Sequence, residues 1–153
     1  VLQDFKEAVR WYRLAADQGD TDSQSKLGKM YFEGTGVVKS YKQAIKWYQL
    51  AADQGNTEAQ SSLGEMYAKG RGVSQNSQEA VKWYMLAAEQ GSTEAQYNLG
   101  KMNAKGQGVS KNSQEAVKWY HRAAEQGNIE AQSSLGAMYA EGTGVEKKLQ
   151  RSY

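Results

Sequence analysis

The sequence predicts an all-α fold built as a stack of helical hairpins, and three observations carry that reading. Trp-Tyr pairs stand at Trp11, Trp47, Trp83 and Trp119, 36 residues apart each time. All 16 glycines fall into four columns with the same period: Gly19/55/91/127, Gly28/64/100/136, Gly34/70/106/142 and Gly36/72/108/144. Each period also holds two apolar patterns of helical spacing, separated by glycine. A fixed period of 20–50 residues marks a solenoid or similar array. A unit of 36 residues cannot enclose a core alone and must lean on its neighbours.

The first helix of each period, helix B, is expected over Gln78–Gln90 in the third copy. Asn76 precedes it with Glu79 three residues later, and the same columns read Asp4/Glu7, Ser40/Gln43 and Asn112/Glu115. That is the capping-box pattern, with a different side chain in the same role each time. Ala80, Tyr84, Ala87 and Ala88 recur at i, i+4, i+7 and i+8, with Val81 and Trp83 widening the apolar face. Gly91 stands where a helix takes a left-handed residue to stop.

Helix A follows at once. Its cap column holds Asp20, Asn56, Ser92 and Asn128, all good N-caps. In the second copy Ala59, Leu63, Met66 and Tyr67 form the stripe and Gly70 ends it, after which Val73 is expected to tuck the loop down. A connection this short makes each B antiparallel to the A that follows. The chain reads as one repeat domain: helix B over 5–18, repeats over 20–54, 56–90 and 92–126, helix A over 128–141, and a tail over 146–153. In that tail Lys148 occupies the capping column, and Leu149–Tyr153 is too short for a helix.

One column needs a steric reason. Gly28, Gly64, Gly100 and Gly136 lie inside helix A, where glycine costs roughly 1 kcal/mol relative to alanine. Close approach of a neighbouring helix explains the choice, and the Ala-Ala pairs of helix B or the tryptophan ring are the expected neighbours.

The motif A-x-x-x-L-G-x-M-Y-x-x-G-x-G-V followed by A-x-x-W-Y-x-x-A-A-x-x-G resembles the Sel1-like repeat (SLR) family, relatives of the tetratricopeptide (TPR) repeats. Ala59, Leu63, Gly64, Tyr67, Gly70, Gly72 and Val73 match its first half. Ala80, Trp83, Tyr84, Ala87, Ala88 and Gly91 match the second. The match runs over roughly residues 4–145. Asn103 replaces the tyrosine, Ser23 the first alanine and Arg122 the leucine found at Leu14, Leu50 and Leu86. The resemblance implies a right-handed α/α superhelix with A helices lining the concave face. It also implies an adaptor that holds other proteins, not an enzyme. Some cysteine-rich members are associated with penicillin binding; this chain has no cysteine, so that activity is not carried over.

Composition narrows the function classes. Nineteen Lys and Arg face 17 Asp and Glu, and residues 1–145 balance at 16 against 16, with no basic stripe for a phosphate backbone. Hydrophobicity is too low for membrane insertion. No charged-then-apolar leader opens the sequence. His121, the single histidine, lies in a variable, mostly polar column and has no cysteine or second histidine to form a dyad. The Gly-x-Gly-Val loops follow helices rather than strands, which reads as helix stops and not as phosphate cradles. No catalytic, metal or cofactor residue is assigned.

The copies themselves point to a surface. Residues 74–109 and 110–145 are identical at 25 of 36 positions. Four of the differences, Tyr97/Ser133, Asn98/Ser134, Lys101/Ala137 and Lys105/Glu141, lie on one face of helix A. The equivalents are Ser25, Lys26, Lys29 and Glu33, then Ser61, Ser62, Glu65 and Lys69. This face is the candidate groove for a peptide or helix of a partner protein, with Tyr97 as aromatic anchor and Asn103 enlarging the space beside it. Free drift of exposed positions predicts variation in the same place. Two further classes stand beside the scaffold: a module stacking end to end on further copies, and, more weakly, a cell-wall or β-lactam hydrolase.

Overall fold

The computed structural model describes residues 4–146. It contains eight helices of 13 residues each: α1 (Phe5–Asp17), α2 (Thr21–Glu33), α3 (Tyr41–Asp53), α4 (Thr57–Lys69), α5 (Ser77–Glu89), α6 (Thr93–Lys105), α7 (Ser113–Glu125) and α8 (Ile129–Glu141). The odd-numbered helices are the B helices and the even-numbered ones the A helices. No strand occurs among the described residues. Contacts run almost entirely between consecutive helices, and the far sparser contacts beyond them join α2 with α4 and α4 with α6. That is the contact map of an α/α solenoid. Lys148 and Leu149–Tyr153 lie outside the described residues.

Caps set the helix ends. Asp4, Ser40, Asn76 and Asn112 each accept a hydrogen bond from the backbone N–H three residues on. The acidic partners of the capping-box pattern turn elsewhere: Glu79 pairs with Lys82 at 3.5 Å and Glu115 with Lys118 at 3.2 Å. Asp20, Asn56, Ser92 and Asn128 cap the A helices in the same manner. Two bonds from Ser23, one side-chain and one backbone, hold the Asp20 carboxyl below its usual range. The A helices end on Gly34, Gly70, Gly106 and Gly142, all left-handed.

The core is a row of clusters rather than one centre. One joins Ala44, Tyr48, Ala51 and Ala52 to Ala59, Leu63 and Met66; the next joins Tyr84, Ala87 and Ala88 to Ala95, Leu99, Met102 and Trp119. Alanine pairs let the helices approach, and Trp83 and Trp119 of the following hairpins pack on these two clusters. Trp47 and Trp119 are buried as expected for a packing column, and Trp83 is half-buried. Trp11 is different, 62% exposed on the outer face of α1.

The interior glycine column meets tyrosine, not the tryptophan or alanine pair expected from sequence. A Cβ on Gly28 would lie 2.9 Å from the Tyr48 ring, one on Gly64 2.6 Å from Tyr84 and one on Gly100 2.6 Å from Tyr120. Antiparallel packing of each A helix on the next B puts their midpoints opposite one another, and the tyrosine is the ring at that level. Tryptophan, one residue earlier, points to the preceding hairpin: Trp47 packs with Val9, Ala16 and Leu27.

A glutamine ladder, not anticipated from sequence, runs along the same interfaces. Gln60 Nε2 donates to the Ala52 carbonyl at 3.3 Å, and Gln90 Nε2 donates to Gln60 Oε1 at 2.6 Å. Gln24/Gln54 and Gln96/Gln126 repeat the pair at 2.8 and 2.7 Å. Gln24, Gln60 and Gln96 thus each tie three successive helices, satisfying a buried amide that would otherwise be costly.

Candidate partner-binding face

Curvature decides which helices line the inner side. Successive A helices approach one another, as α2 does α4 and α4 does α6, whereas no pair of B helices does so to that degree. The closer row is the inside of a bent stack, which fits the A helices to the concave surface.

On that row Lys26, Lys29, Glu33, Lys69 and Lys105 are exposed, and Ser62, Glu65, Asn98, Lys101, Tyr97 and Ser134 are half-buried. They form one polar strip over four A helices. Its first column behaves differently from expectation: Ser25 and Ser61 are 3% and 7% exposed and belong to the interior. Tyr97, in the same column, is held as well as displayed. Its ring lies 5.9 Å from that of Tyr120 and packs on the last cluster, while Lys101 Nζ stands 5.4 Å over its face. Asn103 is buried and its amide donates to the Leu99 carbonyl at 3.0 Å. The tyrosine lost there therefore changes the interior and does not widen the groove.

Several strip residues already have partners. Lys69 pairs with Glu65 at 2.8 Å, and Lys26 Nζ lies 5.5 Å over the Tyr12 ring. Exposed pairs of this kind contribute only about 0.3–0.5 kcal/mol, so an incoming charge can displace them. Burial pushes the Tyr48 hydroxyl up to about 12, opposed by its hydrogen bond with Ser62. Burial likewise raises Tyr120, with Ser134 in the opposing role, and raises Tyr84. Ser62 and Ser134 thus face the interface tyrosines as well as the groove.

An open cleft of about 480 Å³ lies between the N-terminal turns of α6 and α8, lined by Thr93, Glu94, Tyr97, Asn98, Asn128 and Glu130. Lost hydration pushes the Glu94 carboxyl upward, the Glu65 charge adds to this and Lys69 opposes it. A second cleft of about 340 Å³ between α1 and α2 is walled by Phe5, Tyr12 and Met30 and rimmed by Lys26, Lys29 and Glu33. Sequence comparison reached Tyr97 and Asn98 but missed Glu94 and Glu130, because that column is acidic in all four copies (Asp22, Glu58) and shows no variation. His121 lies apart on α7, exposed, its Nδ1 3.2 Å from Glu125. Among the described residues no group of three or more acidic or histidine side chains could hold a metal ion, and no helix is long and apolar enough to cross a membrane.

A curved stack of two-helix repeats with an open polar inner strip defines an α/α solenoid. The Sel1 repeat model matches residues 1–20, 21–56, 57–92, 93–128 and 129–153. The chain belongs to the Sel1 repeat family. Among solved structures it is similar to c5321, described as a protective antigen present in uropathogenic Escherichia coli strains displaying an SLR fold: 45% identity, TM-score 0.91, covering 94% of this chain and 31% of that one. It is also similar to a Sel1 repeat protein from Oxalobacter formigenes, with 41% identity, TM-score 0.86, and 95% and 59% of the two chains covered. Helicobacter pylori cysteine rich protein B shares the fold at 23% identity and TM-score 0.67, over 86% of this chain and 95% of that one. The chain thus spans less than two thirds of the length of the first two. A search of curated proteins finds no match. Sel1 repeat proteins generally serve as protein-interaction scaffolds.

Proposed function

We propose that the concave strip of A helices holds a peptide or helix of a partner protein. The observation that supports this is a continuous strip of incompletely buried polar side chains, deepened at Tyr97 and Asn98 into a cleft of about 480 Å³. Interface hot spots favour tyrosine and arginine in such partly enclosed settings. Tyr97 supplies the aromatic surface, held by Tyr120; Asn98 and Lys101 supply polar contacts; Lys29 and Lys105 set the charge at the rim. Because Tyr97 also packs inward, replacing it by alanine would lower stability and confuse the reading. The cleaner variant is Lys101→Ala with Lys105→Glu, which writes Ala137 and Glu141 of the fourth copy into the third. A photo-crosslinker at Asn98 should trap a defined partner that one at Lys82, on a B helix, does not. The double variant should lose that partner at unchanged melting temperature. Equal trapping by both proteins discards the groove.

A second reading is end-to-end stacking, favoured by one pair of observations. Among the described residues Gly136 of α8 has nothing within 4 Å where its three counterparts each meet a tyrosine, and Trp11 on α1 is 62% exposed. The outer face of α8 therefore matches that of α1 as α2 matches α3, and a second copy completes the pair. Molar mass from light scattering should rise with concentration and stay constant in Gly136→Leu. A constant mass for the unaltered chain ends this reading.

A further inference from the structure

The junction of α2 and α3 carries a group of side chains that the other junctions lack. Phe32 and Tyr41 lie with ring centroids 5.2 Å apart. Arg71, from the next loop, stands 5.9 Å from both rings, and Lys39 Nζ stands 4.9 Å over Tyr41. Beside them Val38 is 88% exposed. The corresponding columns read Ala68 and Ala104 for Phe32, Ser77 and Ser113 for Tyr41, Gln107 for Arg71, and Gln75 and Lys111 for Lys39. The α4–α5 junction folds with small and neutral residues in all four columns, so the fold does not require the aromatic pair or the two cations, and only the α2–α3 junction combines all four side chains.

The loop backbone explains the assembly. A Cβ on Gly72 would lie 2.8 Å from the Tyr41 carbonyl, so the loop lies directly on the first turn of α3 and brings Arg71 over its ring. Neither Lys39 nor Arg71 forms an ion pair among the described residues. Their field is felt locally: a hydrogen bond with Lys39, then the Lys39 and Arg71 charges, hold the Tyr41 hydroxyl below its usual range. Two unneutralised cations over an aromatic pair, next to an exposed valine, form a surface complementary to a carboxylate beside an apolar side chain.

We propose that this loop edge docks an acidic segment of a partner protein, a carboxylate seated by Lys39 and Arg71 and a neighbouring apolar side chain laid on Phe32 and Val38. The site begins where the polar strip ends, next to Glu33 and Lys69, but uses different side chains and does not depend on the groove reading. The probe is a short synthetic peptide alternating glutamate and leucine, with the glutamine–leucine peptide as control, titrated into the 15N-labelled chain. Amide shifts should centre on residues 32–41 and 71 for the glutamate peptide alone. Lys39→Gln with Arg71→Gln, residues the array already uses in those columns, should weaken binding at least about tenfold. Phe32→Ala with Tyr41→Ser should do the same, with circular dichroism unchanged in both. Shifts centred on Tyr97, Asn98 and Lys101 would overturn this site while leaving the groove standing. Absence of shifts, equal binding of the control, or equal binding by the glutamine variant would also overturn it. So would an RNA oligonucleotide that shifts these amides more strongly than the peptide does.

Discussion

Gly64 and Gly136 occupy the same column of the same helix, 72 residues apart, in different surroundings. A Cβ on Gly64 would run into the Tyr84 ring at 2.6 Å, whereas one on Gly136 would meet nothing within 4 Å among the described residues. The first glycine has a steric task and the second, in this chain, only the propensity cost. The contrast extends to the glutamines: Gln60 receives a bond from Gln90, while Gln132 donates to the Ala124 carbonyl at 3.1 Å and is exposed. What a repeat residue does is therefore settled by what packs against it, not by its column.

The sharpest way to break this comparison is Gly64→Leu. It forces a side chain into the Tyr84 ring and should cost about 3 kcal/mol or more by overpacking, lowering the melting temperature by roughly 6–12 °C. Unchanged melting would refute the close approach.

Alkaline titration comes next. The hydroxyl of Tyr48 has a folded-state pKa of about 12, against an ordinary 10. The folded state holds its proton longer, so this contribution is complete below pH 10 and is lost as pH rises towards 12. The shift corresponds to about 2–3 kcal/mol. Absorbance at alkaline pH should show the interface tyrosines ionising late and together with unfolding; early, non-cooperative ionisation would contradict their burial.

Gln60→Ala should cost about 1–2 kcal/mol, since it removes the bonds that tie this buried side chain to Ala52 and Gln90, and Gln132→Ala much less. Equal losses at both sites in thermal melts would remove the ladder from the account. The smallest effect has the opposite sign: Gly136→Ala should stabilise by up to roughly 1 kcal/mol through helix propensity. A destabilising result would mean that the outer face of α8 is covered.

The repeat, the caps and the helix stops could all be read from the chain, because each depends on residues within a few positions of one another. Asn76 caps its own helix and Gly70 stops its own helix, whatever lies beyond. Comparison of the copies led to Tyr97, Asn98, Lys101 and Lys105 because those columns vary. It passed over Glu94 and the glutamine columns because they do not vary, although a glutamine at both positions of all four copies was visible as a pattern.

By itself, then, the order of residues determined the period, the eight short helices and the family. Those are local matters of backbone preference and apolar spacing. Only the tertiary structure decided that tyrosine rather than tryptophan fills the glycine notch, that Ser25 and Ser61 lie inside, and that Arg71 reaches across to Phe32 and Tyr41. These depend on the angle and depth at which one hairpin meets the next, and the net of many weak packing terms sets that geometry.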